Sequence, residues 1–355
     1  MEKIIKIEDN IIGNNKPTYF IADIAANHDG DIERAKDLIF LAAEAGAHAA
    51  KFQHFNASTI VSDKGFKDIT NINSHQSKWK KSVFKVYEDA SINLEWTKIL
   101  KDTCKKAKIS FFSTPYSLDL VNHLDPYVPA YKIGSGDITW LKLIEKIAKK
   151  NKPIFLATGA SNIMEVKHAV QKVLDNNNDL CIMQCNTNYT GNIENFKYIN
   201  LEVLNTFKQI FPNLILGLSD HTPGHSTVLG AVALGARVIE KHFTDNNDRQ
   251  GPDHVFSMNP KSWREMVDRT YELQLALGKN NKIIEDNEKE TVILQRRSLR
   301  SIKNIYKGDS FLSSDFVPLR PCPNDSLNIN ELSSLDKYIA KRDIKKGDYL
   351  KKTDL

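Results

Sequence analysis

Leu214-Ile-Leu-Gly-Leu-Ser-Asp-His221 and Val238-Ile-Glu-Lys-His-Phe243 are two apolar runs, separated by a short helical stretch, that end in charged and imidazole side chains. Neither alternates strictly between apolar and polar residues, which suits parallel strands covered by helices. Six runs of similar texture precede them: Phe20–Ala25, Ala47–Gln53, Ser110–Thr114, Ala130–Ser135, Ile154–Thr158 and Leu180–Asn186. Amphipathic stretches lie between. Ile32, Ala35, Leu38, Ile39, Ala42 and Ala43 recur at spacings of three and four and stop at Gly46. Leu141, Ile144, Ile147 and Ala148 repeat the pattern before Pro153 opens the next run.

Eight such units between Tyr19 and Gly278 predict an α/β fold, a (β/α)8 TIM barrel, which typically needs about 250 residues. An open doubly wound sheet is the alternative, because strand order cannot be read from one chain. The barrel also accounts for where the polar side chains fall. Asp23, Asn27 and His28; Lys51 and Gln53; Ser113 and Thr114; Lys132 and Ser135; Thr158; Asn186; Ser219, Asp220 and His221; Lys241 and His242 gather at the carboxyl ends of the runs. Barrel enzymes build their active face there. The expected division is a barrel over 1–279, a polar linker over 280–294, and a small β-rich module over 295–355. Turn signals in that module stand at Lys307-Gly308-Asp309 and Lys346-Gly347-Asp348.

Of the 355 residues, 41% are hydrophobic and 26% charged, the balance of an ordinary globular protein. The net charge of +5 is spread along the chain, which argues for solvated surface and against a nucleic-acid footprint. No apolar run is long enough to span a membrane, and Met1–Asn15 lacks the features of a signal peptide. Cys104, Cys181, Cys185 and Cys322 form no CxxC pair or disulfide framework, so reduced thiols and a cytoplasmic location are expected.

His221 and His242 end consecutive runs, and neighbouring parallel strands lie about 4.8 Å apart, so their imidazoles could share one ion. With two nitrogens and many oxygens available, Mn²⁺, Mg²⁺ or a similar octahedral ion suits better than structural zinc. Lys51 and Lys132 interrupt apolar strands, where an ammonium group is costly unless paired. Three roles stay open for them: binding an anion, bridging to a carboxylate such as Asp23 or Asp137, or forming a Schiff base. Gly134-Ser135-Gly136 could offer backbone amides to an anion, although a single such triplet often marks only a tight turn.

In order, the run ends resemble the sialic acid synthase family: Ile21-Ala-Asp-Ile-Ala-Ala-Asn-His28, Lys51-Phe-Gln53, Phe112-Ser-Thr-Pro115, Tyr131-Lys-Ile-Gly-Ser-Gly136, Gly217-Leu-Ser-Asp-His221, Glu240-Lys-His-Phe243 and Gly251-Pro-Asp-His254. The tail, with Arg297-Ser-Leu299, Leu319-Arg-Pro321 and Asp343-Ile-Lys-Lys-Gly347, is similar to the antifreeze-like (SAF) domain that closes these synthases. The resemblance covers nearly the whole chain. It implies condensation of phosphoenolpyruvate with an N-acyl hexosamine and water, giving a nonulosonic acid and phosphate. It places phosphoenolpyruvate at Lys51, Thr114, Lys132, Ser135 and Ser219. The sugar falls to Gln53, Tyr189 and Asp253, and Mn²⁺ (or Mg²⁺ or Co²⁺) to His221 and His242. Asp23 and Asp137 stand where the family usually has glutamates. Arg320 matches an arginine that one subunit inserts into the barrel of the other, which implies a domain-swapped homodimer. Ala157 replaces a frequent serine, and Cys322-Pro323 replaces a usual glycine. The stretch 248–254 is closer to the neuraminate and legionaminate branches than to the pseudaminate branch. Rival readings are an octulosonate or heptulosonate type of synthase acting on a phosphorylated aldose, a Schiff-base aldolase, and a non-catalytic carbohydrate-binding protein.

Overall fold

All eight expected strands form, each end within two residues of its reading. The computed structural model describes residues 3–69, 76 and 79–355. A hairpin, β1 (Ile4–Ile7) and β2 (Asn10–Gly13), comes first. The barrel strands follow: β3 (Tyr19–Asp23), β4 (Ala49–His54), β5 (Ser110–Pro115), β6 (Tyr131–Ile133), β7 (Ile154–Ala157), β8 (Leu180–Cys185), β9 (Ile215–Asp220) and β10 (Val238–His242). They pair in parallel and in chain order, and β10 bonds to both β9 and β3. That closure rules out the open doubly wound sheet.

Two apolar cores line the two faces of the barrel wall. Outward residues such as Phe20, Ala50, Phe52, Leu156, Ile182, Leu218 and Ile239 join the buried faces of the surrounding helices. Inward residues Ile21, Ala49, Phe112, Phe155, Met183, Ile215 and Val238 form a second cluster with Ile5, Ile7 and Ile12 of the hairpin. The hairpin therefore plugs the amino-terminal end of the barrel. Fully burying such a side chain contributes roughly 1.5–3 kcal/mol, so three isoleucines offset part of the cost of ordering a short two-stranded ribbon. Gly217 leaves room inside, since a Cβ there would lie 2.9 Å from both Met183 Cγ and the Val238 carbonyl oxygen.

Along each inward row, two-residue periodicity carries the chain from apolar to polar. Ile21 gives way to Asp23, Ala49 to Lys51 and Gln53, Phe112 to Thr114, and Val238 to Glu240 and His242. The register sets His242 beside Asp23, and Asp23 beside Lys51. The polar residues thus collect at one level of the mouth.

Residues Lys279–Leu355 form a second compact unit. Its antiparallel pair, β11 (Ser298–Ser301) and β12 (Phe316–Leu319), encloses a small core with Leu299, Ile305, Phe311, Phe316, Leu327 and Leu335. Gly308 and Gly347 take φ of +95° and +89° at the two expected turns. The stretch read as linker contains structure of its own, a helix at Lys289–Gln295. All four cysteines are free, and among the described residues no helix is long and apolar enough to cross a membrane.

Candidate active site

A buried cluster of alternating charge occupies the centre of the mouth. Lys51 Nζ lies 2.7 Å from Asp23 Oδ2 and 3.6 Å from Glu240 Oε1, and Lys132 Nζ lies 3.5 Å from the same Glu240 oxygen. Ser219 donates to that oxygen at 3.3 Å. Gln53 and the Ala25 amide donate to Asp23, each at 3.1 Å. Burial works against charge on Lys51, but Asp23 and Glu240 outweigh it and hold its pKa above the usual lysine value. Lys132 differs: burial dominates and depresses it, with Lys51 adding repulsion against the pull of Glu240. Of the three roles open for these lysines, the bridge to a carboxylate is present for both, Lys51 with Asp23 and Glu240 and Lys132 with Glu240.

Glu240 is the hub of this cluster, and the sequence reading assigned it no role. It shares an inward face with His242, two residues on, and that alternation was the available signal. Lys241 and Asp220 instead point outward and pair with each other, with Thr222 and Thr227 completing the shell around Asp220. Ser113 and Asn27 are likewise turned to structural work. Ser113 bonds His54 at 2.6 Å, and Asn27 bonds the Phe243 carbonyl and Ser257, each at 2.9 Å.

His221 and His242 face each other with ring centroids 5.4 Å apart. His221 Nδ1 lies 3.0 Å from the Asn186 carbonyl oxygen, which can only accept, so that nitrogen carries a proton. Burial works against charge on this ring, but the Cys185 thiol beside it and the Asn186 carbonyl outweigh burial and raise its pKa. His242 Nδ1 is buried without a hydrogen-bond partner, and its Nε2 stands 3.5 Å from Asp23 Oδ2. Burial holds His242 unprotonated, and its buried, unbonded nitrogen beside a second imidazole fits a divalent ion. No group of three or more His, Cys, Asp or Glu side chains is arranged as a metal cluster among the described residues, so oxygens of substrate and water would complete the shell. Tyr189 and Phe256 wall the pair, with centroids 4.4 Å from His221 and 4.9 Å from His242 respectively.

A hydroxyl-rich rim adjoins the charges. Ser135 Oγ accepts from the Gly159 amide at 3.0 Å. Gly159 is required by close approach, because a Cβ would meet Thr187 Oγ1 at 2.0 Å and Ser135 Oγ at 2.9 Å. The hydroxyls of Thr114 and Thr187 are buried and unpartnered, as is one oxygen each of Asp137 and Glu240. Ala157 is buried at the end of β7 with no hydroxyl to offer. Burial pushes the carboxyl of Asp137 up to about 6.

The loop after β10 presents Asp253, whose carboxylate accepts from the Ala26 amide at 3.3 Å and stands 3.8 Å from His242 Nδ1. Burial raises this carboxyl too, to about 6. Its neighbour His254 anchors the loop, bonding Asp29 at 2.9 Å and Thr244 at 2.7 Å. Together these groups line a cavity of about 360 Å³ that includes Gln53, Ser135, Asp137, Tyr189, His242 and Asp253. The strand-end set does not all reach this mouth: Asn27, Ser113, Asp220 and Lys241 bond elsewhere, and Thr158 and Asn186 line a separate cavity. Arg320 lies in the second unit, exposed, its Nε donating to the Gln295 carbonyl at 2.7 Å.

Residues 38–282 match the model of the NeuB family. The chain belongs to the NeuB family. It is 36% identical over 312 residues to the N,N'-diacetyllegionaminic acid synthase of Campylobacter jejuni, covering 86% of this chain and 91% of that one. With the pseudaminic acid synthase of Helicobacter pylori it shares 33% over 310 residues, 86% and 89% of the two chains. Among solved structures, the N-acetylneuraminic acid synthetase of Leptospira borgpetersenii in complex with citrate superposes with a TM-score of 0.72. Identity is 29%, over 82% of this chain and 96% of that one. This NeuB member thus joins relatives named for three different nonulosonic acids.

Proposed function

We propose that this NeuB-family chain condenses phosphoenolpyruvate with the open-chain form of an N-acyl hexosamine and water, releasing phosphate and a nonulosonic acid. The observation that carries this is two buried ammonium groups converging on one carboxylate beside a pair of facing imidazoles. Such a mouth suits a small polyanion next to an electrophilic carbonyl. Lys51 and Lys132 hold the phosphate and carboxylate of phosphoenolpyruvate, helped by the hydroxyls of Thr114, Ser135 and Ser219. The bound anion takes over the charge balance that Asp23 and Glu240 supply in its absence. Gln53, Asp137, Tyr189 and Asp253 orient the sugar so that its aldehyde carbon faces carbon 3 of phosphoenolpyruvate. The new C–C bond forms there, water adds at carbon 2, and phosphate departs by C–O cleavage.

His221 and His242 would hold a divalent ion, Mn²⁺ before Mg²⁺ or Co²⁺, whose contribution when bound is to polarise the aldehyde. The second unit is proposed as an SAF-type domain, and Arg320 as a sugar contact delivered to the barrel of a second copy in a domain-swapped homodimer. Four unpaired cysteines suit a reducing cytoplasm.

Phosphate release from phosphoenolpyruvate with Mn²⁺ and a panel of N-acyl hexosamines tests the reaction. Release that requires the sugar is the expected result. Borohydride with pyruvate should leave Lys132 unmodified, since no imine forms; trapping of that lysine would favour an aldolase instead.

A further inference from the structure

We infer that His254 and Asp29 are a positioning pair, clamped between the loops after β3 and β10, that fixes the Asp253 carboxylate beside His242. The inference rests on the condensation reading above and adds two residues that act on the sugar only through Asp253. Strands β3 and β10 close the barrel, so the loops that leave them are neighbours across its seam. His254 is wholly buried between those loops, with Nε2 2.9 Å from Asp29 Oδ1 and Nδ1 2.7 Å from the Thr244 hydroxyl. A carboxylate oxygen can only accept, so Nε2 carries a proton. Both ring nitrogens are engaged, and the ring cannot turn without losing a bond.

Asp29 is tied on its other side as well. Its Oδ2 lies 3.1 Å from Arg34 Nε and 3.2 Å from Arg249 Nε. Arg34 also forks onto Asp245, at 2.6 and 2.8 Å, which joins the two loops a second time. Burial works against charge on Asp29, but His254, Arg34 and Arg249 outweigh it and hold its carboxyl below the usual value. Asp29 takes φ of +54°, a left-handed backbone that Asp tolerates better than most residues.

Asp253 is held at each end by this arrangement. Its carboxylate accepts from the Ala26 amide, its carbonyl accepts from the Ser257 hydroxyl at 2.6 Å, and the next residue is the clamped imidazole. Gly251 folds tightly over that ring, since a Cβ there would lie 2.6 Å from His254 Cδ2. Neither His254 nor Asp29 belongs to the apolar cores, so the clamp orients the rim of the barrel without building its wall. A shift of about 1 Å in a group that orients a reactant can cost on the order of 100-fold in rate. Loosening the clamp should therefore harm use of the sugar and spare the anion site, whose proposed lysines lie on β4 and β6.

The test is initial-rate phosphate release by the full chain with phosphoenolpyruvate, Mn²⁺ and the N-acyl hexosamine of the panel above that the parent uses best. Asp29→Asn keeps a residue that accepts the left-handed turn and removes the charge. His254→Phe keeps a buried ring and removes both hydrogen bonds. The kcat/KM for the sugar should fall about tenfold in the first and about 100-fold in the second. Phosphoenolpyruvate affinity in calorimetric titration should stay within about twofold of the parent. The decisive comparison uses Asp253→Asn: adding Asp29→Asn to it should change kcat/KM for the sugar by less than about twofold, because the pair acts through a carboxylate already removed. Losses that multiply in that double variant, or no loss in Asp29→Asn or in Asp253→Asn alone, overturn the inference and leave the condensation intact. So does an equal loss of phosphoenolpyruvate affinity. Should His254→Phe fail to fold, Asp29→Asn and its combination with Asp253→Asn decide the matter. Absence of phosphate release by the parent with every amino sugar removes the condensation reading and this inference with it.

Discussion

The Lys51 ammonium lies 2.7 Å from the Asp23 carboxylate, and both side chains are almost wholly buried, at 3% and 2% exposure. Removing one member of such a pair strands the other charge in a poor solvent, which costs roughly 3–5 kcal/mol. Lys51→Met should therefore lower the unfolding free energy of the barrel by about that amount in a denaturant titration. Lys51→Met combined with Asp23→Asn should recover a large part of the stability and none of the activity. Equal stability of the single and double variants would show that the pair is not coupled.

Lys132 has a different surrounding, with burial and Lys51 both acting against its charge and Glu240 supporting it. Lys132→Met should weaken phosphoenolpyruvate binding by about 1.5–3 kcal/mol, or roughly 10- to 150-fold, in calorimetric titration. Unchanged affinity would take Lys132 out of the anion site.

His221→Ala and His242→Ala should each sharply reduce bound metal in elemental analysis and reduce turnover with it. Far-UV circular dichroism should stay that of the barrel, because neither ring is part of the apolar cores. Full activity of the parent chain after exhaustive chelation would sink the metal assignment.

The Asp137 carboxyl is pushed up to about 6 by burial, above the usual value of 3.8. The folded chain therefore holds this proton more tightly than the unfolded chain does. Stability from this group is greatest at low pH and is lost as pH rises from about 4 to about 6. Asp137→Asn should gain stability at pH 7–8, on the order of 1–2 kcal/mol, and little at pH 4. If ionised Asp137 accepts hydrogen bonds from the sugar, kcat/KM for the sugar should also fall below about pH 6 in the parent chain. A pH-independent stability difference between the two chains would contradict the burial of this group.

Arg320 tests the proposed dimer. Arg320→Ala should weaken use of the sugar far more than use of phosphoenolpyruvate, because a planar guanidinium suits an array of sugar oxygens. A chain ending at Gly278 should keep a folded barrel and lose most turnover. Mixing Arg320→Ala chains with His221→Ala chains should restore some activity, since hybrids then contain one intact barrel paired with one intact tail. No recovery, despite demonstrated subunit exchange, would place Arg320 on its own barrel or outside the chemistry.

Much of the fold was legible because each barrel strand is a short apolar run that ends in polar residues, a pattern repeated eight times. Strand closure was not, since the β10–β3 bonds join residues more than two hundred positions apart. The hairpin went unread because Ile5, Ile7 and Ile12 sit among charged and polar neighbours, and only the barrel interior reveals what buries them. Within the mouth, Lys51, Lys132, His221 and His242 stood out as costly or chemically versatile residues on apolar strands. Glu240 did not, although it bonds three of its neighbours, because sequence shows a charge without showing its distances. Thr187 was invisible for another reason: its closeness to Ser135 depends on Gly159 having no side chain.

The plug of Ile5, Ile7 and Ile12 turns the barrel into a vessel with a single doorway. Reactants and products should then share one opening, lined by Phe55, Val61, Trp79 and Tyr87 on one side and by the loop that carries Asp253 on the other. On the proposed reading the anion is held at the lysines in the barrel centre and the sugar at the cavity wall nearer the loops. Loading should then be ordered, phosphoenolpyruvate before the sugar. Release should run in the opposite order, the acid before phosphate. Product-inhibition kinetics of this chain should carry the signature of a queue.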